Sequence, residues 1–252
     1  MNSTGELMAQ KPAATVPPDT VTIPLTIRAG VDISGPVIYL TDKNNLTVEG
    51  YLSADLNEKR SLYLGGGYSN YKYSQYNYSY VTNGFFIKAG VDFNLMKPQT
   101  AKGKYWAGVG LHYGLSSFSY EIPELSHDNY WGTTTASLPT QSLWSHFIEA
   151  SPGFRAQFFG NVTIGWSISL RKMIYSGGGK DIRPIYIPGY GLAASSFSAG
   201  INYYIIWNFR YKTIKVLIKK EQPEEPEEET TPSTNTNTNT NTGSGNMQNP
   251  EP

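Results

Sequence analysis

Eight segments of this chain alternate apolar and polar residues with a period of two. In the segment 46–56, Val48 and Leu52 occupy even positions, whereas Glu49 and Asp55 occupy odd positions. Because successive side chains of a β-strand point to opposite faces, each segment is predicted to form a strand with one apolar face. The eight predicted strands span residues 25–34, 46–56, 61–69, 87–95, 105–116, 148–158, 162–171 and 197–207.

The connectors between these segments alternate in length. The short ones are residues 57–60, 97–104 and 160–161, and the long ones are residues 35–45, 70–84, 117–143 and 174–196. Outer-membrane β-barrels have short periplasmic turns and long extracellular loops, and their strands carry apolar residues outward over about 9–11 residues. The pattern predicts an all-β fold, an eight-stranded antiparallel transmembrane β-barrel with both chain termini in the periplasm.

The composition agrees with a barrel of this kind. The chain has 25 Gly, 19 Tyr and no Cys, and only 16% of its residues are charged, whereas a soluble domain usually carries about 25%. The absence of Cys excludes disulfides and thiolate metal sites. The formal net charge of zero gives no bulk attraction to nucleic acid, so no nucleic-acid partner is predicted.

Charged residues occur repeatedly on the polar face of the predicted strands. They are Arg28, Asp32, Glu49, Asp55, Lys88, Asp92, Glu149, Arg155 and Arg171. Buried charges persist only when they are paired and hydrogen-bonded, and eight strands leave a lumen that side chains can fill. We therefore predict an interior network of ion pairs that plugs the barrel. A proton or ion path through the same charges is the functional alternative.

Five short segments carry a resemblance to a known family: residues 29–32, 40–44, 86–92, 110–114 with Phe118, and 186–190. In these segments the chain resembles an uncharacterised family of small Bacteroidetes outer-membrane β-barrel proteins, which share the eight-stranded plan of OmpA-type and OmpX-type barrels. The resemblance covers roughly residues 21–210. It implies a fold and a membrane location, and it brings no catalytic motif.

The two ends of the chain differ from this barrel region. Residues 1–20 are polar and Pro-rich, and we expect a disordered periplasmic segment whose signal peptide is missing or removed. In the final region, 211–252, the alternating residues 213–220 are expected to extend the last strand or to dock on a partner. The acidic and Thr-Asn-rich remainder is predicted to be disordered, either as a solvated spacer or as a periplasmic tether.

The connector 70–84 is rich in tyrosine. Its candidate partner-binding residues are Tyr71, Tyr73, Tyr76, Tyr78 and Tyr80. Tyrosine offers a large amphipathic contact area that suits recognition. The favoured interpretation is an extension of the hairpin that forms the outer aromatic girdle of a membrane barrel. The alternative is a surface loop that binds a partner.

Residues suited to catalysis are few. The three histidines are His112, His127 and His146, and His112 is expected to lie inward with a hydrogen-bonded role in the core. The run Ser126–Asp128 contains Ser, His and Asp, but adjacent residues rarely converge on one substrate atom. The glycine runs at 65–67 and 177–179 open no predicted helix. We predict no catalytic residues, metal site, cofactor or small-molecule substrate.

Three classes of function remain open from the sequence. The first is a non-enzymatic barrel that serves as a structural or accessory component of an outer-membrane complex. The second is a surface recognition or adhesion barrel, and the third is a rim enzyme acting on lipid or peptide. The expected partners are outer-membrane lipid and other envelope proteins, which would meet extracellular loops, the barrel wall or the periplasmic tail.

Overall fold

The alternating segments form long antiparallel strands in the computed structural model, which describes residues 20–177 and 183–217. Most of the predicted N-terminal segment and the acidic, Thr-Asn-rich tail lie outside the described residues. The strands are β1 (Thr20–Asp32), β2 (Asn45–Asp55), β3 (Arg60–Gln75), β4 (Tyr78–Asn94), β5 (Tyr105–Asn129), β6 (Gly132–Phe159), β7 (Val162–Tyr175), β8 (Tyr186–Ile187), β9 (Gly191–Leu192) and β10 (Phe197–Leu217). Two short helices, α1 (Ser34–Thr41) and α2 (Pro98–Ala101), lie in connectors.

Eight of these strands close into an antiparallel barrel in the order β1-β10-β7-β6-β5-β4-β3-β2. The barrel closes where β1 pairs with both β10 and β2, for example through Ala29 with Trp207 and with Leu52. Strands β8 and β9 form a separate two-stranded sheet. The predicted fold class, an all-β eight-stranded antiparallel barrel, is confirmed. Within the described part of the chain, no helix is both long and apolar enough to cross a membrane.

Two predicted long loops are instead paired hairpins. Strands β3 and β4 remain paired up to Gln75 and Tyr78, and β5 and β6 up to Asn129 and Gly132. The favoured interpretation of the connector 70–84 as a hairpin extension is therefore confirmed, whereas the prediction of a long loop at 117–143 was wrong in extent. In this part of β5, every second residue is still buried, as Tyr120 is. The outward face is polar there, so the apolar outward residues that defined the predicted strands are absent.

The barrel has two distinct ends. We call the end with the tips of the β3–β4 and β5–β6 hairpins the long-hairpin end, and the opposite end, where β1 begins and β10 ends, the short-turn end. At the short-turn end, Thr20 pairs with Leu217, so the last strand continues beyond residue 210. A register shift between Leu25 and Thr26 turns Leu25 inward, with only 4% of its surface exposed. The alternation of the segment 25–34 predicts Leu25 on the outer face together with Ile27, and this expectation was wrong because the irregularity interrupts the alternation.

The outer wall of the barrel is apolar. Its exposed side chains include Ile27, Val31, Leu52, Leu62, Leu64, Ile87, Leu111, Ile148, Ile164, Ile168, Leu170, Ile201 and Ile205. Exposed aromatic residues flank this wall towards both ends of the barrel. They are Phe85, Tyr113, Trp144, Tyr175 and Phe197 towards the long-hairpin end, and Tyr105, Phe154, Phe158, Trp207, Phe209 and Tyr211 towards the short-turn end.

The segment that carries β8 and β9 folds into the mouth of the barrel at the long-hairpin end. Tyr186, Ile187 and Tyr190 are buried in one cluster with aromatic and aliphatic residues of β4, β5 and β6. Gly189 has a φ of +75°, and a Cβ at this position would lie 2.5 Å from Cγ of Phe86. Only glycine fits both the backbone angle and the close approach. We call this segment, residues 183–193, the mouth plug.

Candidate functional site

The interior of the barrel is organised around three charged residues from three different strands. Strands β2, β4 and β6 direct Glu49, Lys88 and Glu149 inward because these residues share the inward parity of their strands. Nζ of Lys88 lies 2.9 Å from each carboxylate oxygen of Glu49 and 3.2 Å from Oε2 of Glu149. All three residues are buried, so this cluster ties together strands that are not neighbours in the sheet.

Glu149 is the most connected member of the network. Besides Lys88, its carboxylate receives Nε of Arg171 at 2.6 Å and lies 3.2 Å from Nδ1 of His112. Each contact comes from a different strand: β4, β7 and β5. One carboxylate therefore contacts three groups that can carry positive charge. We use the name central network for the residues that these and the following contacts connect: Glu49, Lys88, Asp92, His112, Glu149, Arg155 and Arg171.

His112 links Glu149 to a second buried carboxylate. Its Nε2 lies 3.0 Å from Oδ1 of Asp92, and Asp92 also accepts a 2.7 Å hydrogen bond from Nη2 of Arg155. The ring of Tyr63 stacks on the imidazole with centroids 4.0 Å apart. An ionised carboxylate only accepts hydrogen bonds, so an imidazole held between two of them suits a proton on each nitrogen.

A protonated His112 would also balance the interior charges. The nine charged residues singled out in the sequence comprise four cations and five anions. A His112 imidazolium brings the two signs to five each. The sequence placed His112 inward but did not include it among the charges. An unperturbed histidine is mostly neutral at pH 7, and the carboxylates that surround His112 could not be identified from the sequence.

The structure brings six of the nine predicted interior charges into the central network. They are Glu49, Lys88, Asp92, Glu149, Arg155 and Arg171. Nearer the short-turn end, Arg28 forms a separate two-armed ion pair with Asp55. Asp32 accepts hydrogen bonds from Asn202 and Ser34 at the other end of the lumen.

Small residues make room for the central network in the narrow lumen. A Cβ at Gly110 would lie 2.6 Å from Oδ1 of Asp92 and 2.7 Å from Nε2 of His112. Glycine at position 110 therefore avoids a collision with these two side chains. Across residues 20–177 and 183–217, no group of His, Asp and Glu side chains has the arrangement of a metal site.

Most of the tyrosines in the candidate binding loop lie on the face of the β3–β4 hairpin that packs against the mouth plug. Tyr71 stacks on Tyr186 of the mouth plug with centroids 4.5 Å apart, and Tyr80 donates a 3.3 Å hydrogen bond to the carbonyl oxygen of Tyr186. Burial raises the pKa of Tyr80 to about 12, so its hydroxyl keeps the proton that it donates. Tyr78 and Tyr73 pack beside them. These four side chains hold the mouth plug and do not form an outer girdle.

The sequence contained a signal for this inward packing. Tyr71 and Tyr73 have the same odd parity as buried Tyr63, so the inward face of β3 simply continues beyond the apolar wall. Of the five tyrosines, only Tyr76 is fully outside, with 95% of its surface exposed. The aromatic flanks of the wall come from other residues, described above.

The most exposed aromatic residues after Tyr76 were not singled out in the sequence. Tyr130 and Trp131 occupy the tip of the β5–β6 hairpin, 93% and 89% exposed, with ring centroids 5.3 Å apart. We call Tyr76, Tyr130 and Trp131 the tip aromatics. Turn residues Asn129 and Gly132 around them mark a hairpin tip, which was the available signal.

The residues considered for rim catalysis do not converge. Ser126, His127 and Asp128 are consecutive in β5, so neighbouring side chains point to opposite faces. Asp128 accepts a 2.6 Å hydrogen bond from Thr133 across the hairpin. His146 bonds to the hydroxyl of Tyr113 on the outer wall, 2.9 Å away.

We predict that replacing Glu149 with Met lowers the free energy of unfolding by about 3–5 kcal/mol, because Lys88, His112 and Arg171 lose a shared buried counter-charge. The matched control is Glu124→Met, the same replacement at an exposed hairpin position, with an expected effect within about 0.5 kcal/mol. Urea titration followed by gel mobility of the folded and unfolded forms measures both. Equal unfolding midpoints for the two variants would contradict the role given to Glu149.

Comparison with solved structures finds several small barrels at low similarity. Ail, the attachment invasion locus protein of Yersinia pestis, is 10% identical with a TM-score of 0.39, over 75% of this chain and 98% of that chain. CarO of Acinetobacter baumannii is 13% identical with a TM-score of 0.37, over 75% and 98%. The N-terminal β-barrel domain of OprF from Pseudomonas aeruginosa is 13% identical with a TM-score of 0.30, over 76% and 100%.

No curated protein sequence matches this chain. A family model does match, that of the domain of unknown function DUF6048, and it covers residues 2–212. The match includes every barrel strand almost to the end of β10. The chain therefore belongs to the DUF6048 family.

Proposed function

We propose that this protein is a closed, non-enzymatic β-barrel of the bacterial outer membrane that serves as a structural or accessory component of an envelope assembly. We further propose that both chain termini face the periplasm and that the family is one of Bacteroidetes barrels, as the sequence resemblance implies. Its partners are outer-membrane lipid and other envelope proteins, which meet the barrel at its hairpins, its outer wall or its tail.

The observation that carries the proposal is the inverted distribution of polarity. Ion pairs fill the inside of the barrel, while Leu, Ile and Val side chains cover its outside. A soluble monomer rarely exposes an apolar patch of more than a few hundred Å². A continuous apolar wall around a barrel is instead the surface that a lipid bilayer solvates.

The dimensions of the wall suit a membrane. In β4, the outward residues from Phe85 to Phe93 span nine positions, and a tilted transmembrane strand needs about 9–11. Aromatic residues flank the wall at both levels, as they do where membrane barrels meet the two interfaces. Backbone groups in the wall are paired around the closed sheet, so no strand edge faces lipid.

The interior supports a plugged barrel. The central network crosses the lumen through Lys88, Glu149 and His112, and the mouth plug covers the network at the long-hairpin end. Arg171 connects the two layers, since its Nη1 donates to the carbonyl oxygen of Tyr190, 3.3 Å away. An ion crossing the barrel would have to break these contacts together.

We expect the purified protein in planar lipid bilayers to give no steady conductance, because the central network and the mouth plug block the lumen. A general porin reconstituted in the same way serves as the positive control. Reproducible single-channel steps, absent from protein-free bilayers, would overturn the plugged interior and revive the ion-path alternative.

The proposed orientation can be tested with single cysteines, since the chain has none of its own. Cysteines at Asn77 and Asn129, in the hairpin tips, should react with a membrane-impermeant maleimide on intact cells. Cysteines at Lys59 and Asn161, in the short turns, should react only after the outer membrane is opened. The reason is that the short side of such barrels faces the periplasm. Labelling of position 59 on intact cells would reverse the orientation.

A second candidate function, surface recognition, is favoured by the tip aromatics. Tyr130 directly follows the end of β5 and lies seventeen residues beyond Tyr113 in the chain, which is about 55 Å for a regular strand. At that distance Tyr130 and Trp131 are beyond the aromatic residues that flank the apolar wall, so they cannot act as a membrane girdle. Exposed Tyr and Trp are the residues most often found at binding hot spots.

Replacing all three tip aromatics with serine should leave barrel assembly unchanged and abolish partner contact, if the tips bind. The measurement is crosslinking on intact cells from a cysteine at Gln75, read as a discrete adduct of higher mass. The matched control replaces the neighbouring polar residues Asn77, Asn129 and Thr133 with serine. An adduct that persists in the aromatic-free variant would exclude recognition by the tips.

A further inference from the structure

We propose that a ring of cations at the short-turn end of the barrel binds anionic phospholipid headgroups. The exposed side chains of this end include seven cations: Lys59, Arg60, Lys102, Lys104, Arg210, Lys212 and Lys215. We call these residues the cationic rim. The inference rests on the membrane location proposed above, which it deepens by naming a class of lipid, and it does not depend on which end of the barrel faces the periplasm.

The protein offers these cations few anions of its own. Among the described residues outside the lumen at this end, the only acidic one is Glu58, which is half-buried. Asp55 is buried and paired with Arg28. Within residues 20–177 and 183–217, no ion pair includes a member of the cationic rim. The rim is therefore a surface of one sign of charge, open to anions from outside the barrel.

The long-hairpin end has no such excess of cations. In the part of the chain that the structure describes, its strand ends and connectors carry four cations and four anions: Lys43, Lys72, Lys172 and Arg183 against Asp42, Glu121, Glu124 and Asp128. A general need for surface charge would not distinguish the two ends of the barrel. The excess of positive charge is thus a specific property of the short-turn end.

The cationic rim lies at the level of the aromatic residues that flank the apolar wall. Arg60 pairs in register with Phe93, the last outward residue of β4. Lys104 directly precedes the exposed Tyr105, and Arg210 lies between two exposed aromatic residues of β10. Aromatic belts mark the depth of the lipid headgroups, and long Lys and Arg side chains can extend to place their charges there. These cations are therefore within reach of lipid phosphates.

The three cations at this level are distributed around the barrel. In the order of strands around the closed sheet, Arg60 at the start of β3, Lys104 before β5 and Arg210 in β10 are two, three and three steps apart. A folded protein that docked against one side of the barrel would meet only part of this set, whereas lipids surround the whole perimeter. The distribution favours phospholipid over an acidic protein.

The net charge of the headgroup decides which phospholipid the rim selects. A phosphatidylcholine headgroup is neutral, because its choline cation balances the phosphate, whereas phosphatidylglycerol keeps a net negative charge. Attraction between clustered Lys and Arg and an anionic lipid surface falls off within a Debye length, about 8 Å at physiological ionic strength. Cations at headgroup depth are inside that range, so phosphatidylglycerol should be enriched around the short-turn end.

The lipid selectivity of the full-length protein tests the proposal. The protein is reconstituted in phosphatidylcholine vesicles with a trace of spin-labelled phosphatidylglycerol or phosphatidylcholine, and electron paramagnetic resonance separates motionally restricted lipid from bulk lipid. Phosphatidylglycerol should associate about two- to fivefold more strongly, the range for ion pairs between exposed groups, and less so in high salt. The glutamates between residues 221 and 229 are present as competing anions.

Two triple variants assign the preference to one end of the barrel. The first replaces the three cations at the aromatic level: Arg60→Gln, Lys104→Gln and Arg210→Gln. The matched control makes the same change in net charge at the opposite end: Lys43→Gln, Lys72→Gln and Lys172→Gln. The first should bring the preference close to onefold, and the control should retain most of it. Equal loss in both variants would reduce the effect to net charge and overturn the cationic rim. Heat-modifiable gel mobility checks that each variant is folded.

The possible outcomes separate this inference from the membrane location on which it rests. A barrel that restricts lipid but shows no preference for phosphatidylglycerol would overturn the lipid site and leave an acidic protein as the candidate partner of that end, with the membrane location intact. Absence of any restricted lipid around the folded protein would overturn the membrane location, and the lipid site with it.

Discussion

The ion pairs around Glu149 are the interaction on which the rest of the structure depends. Lys88, Arg171 and His112 reach this carboxylate from three separate strands, and His112 continues the contact to Asp92 and Arg155. Hydrogen bonds in the sheet link neighbouring strands, whereas these side chains connect strands across the lumen. The ionic network favours this register over others, because a shifted strand would leave a buried charge uncompensated.

The network also determines what the ends of the barrel must do. A lumen closed at its centre leaves two separate cavities rather than one channel. At the long-hairpin end, the tyrosines of β3 and β4 hold the mouth plug over the network. At the short-turn end, the turn with α2 lines a cavity to which Arg155 of the network also contributes.

The proposed function places the partner contacts on the surfaces of the barrel, because the central network crosses the lumen. The apolar wall suits lipid, and the tip aromatics extend well beyond it on the β3–β4 and β5–β6 hairpins. A structural or accessory role requires the wall and the ends, whereas recognition requires the tips. These roles involve different residues, Leu64 and Ile87 for the wall and Tyr130 for a tip, so substitutions can separate them.

The sequence by itself determined the strand count, the antiparallel closure, the apolar wall and the inward position of charges such as Lys88 and Glu149, because a period of two in hydrophobicity is a local property of the chain. It did not determine pairings such as His112 with Asp92 and Glu149, which depend on how distant strands are aligned around the barrel. It also missed the length of the β5–β6 hairpin, because the outer face of that hairpin is polar and shows no apolar signal. Only the tertiary structure decided that Tyr71 and Tyr80 hold the mouth plug, since the partner that buries them, Tyr186, lies more than one hundred residues away.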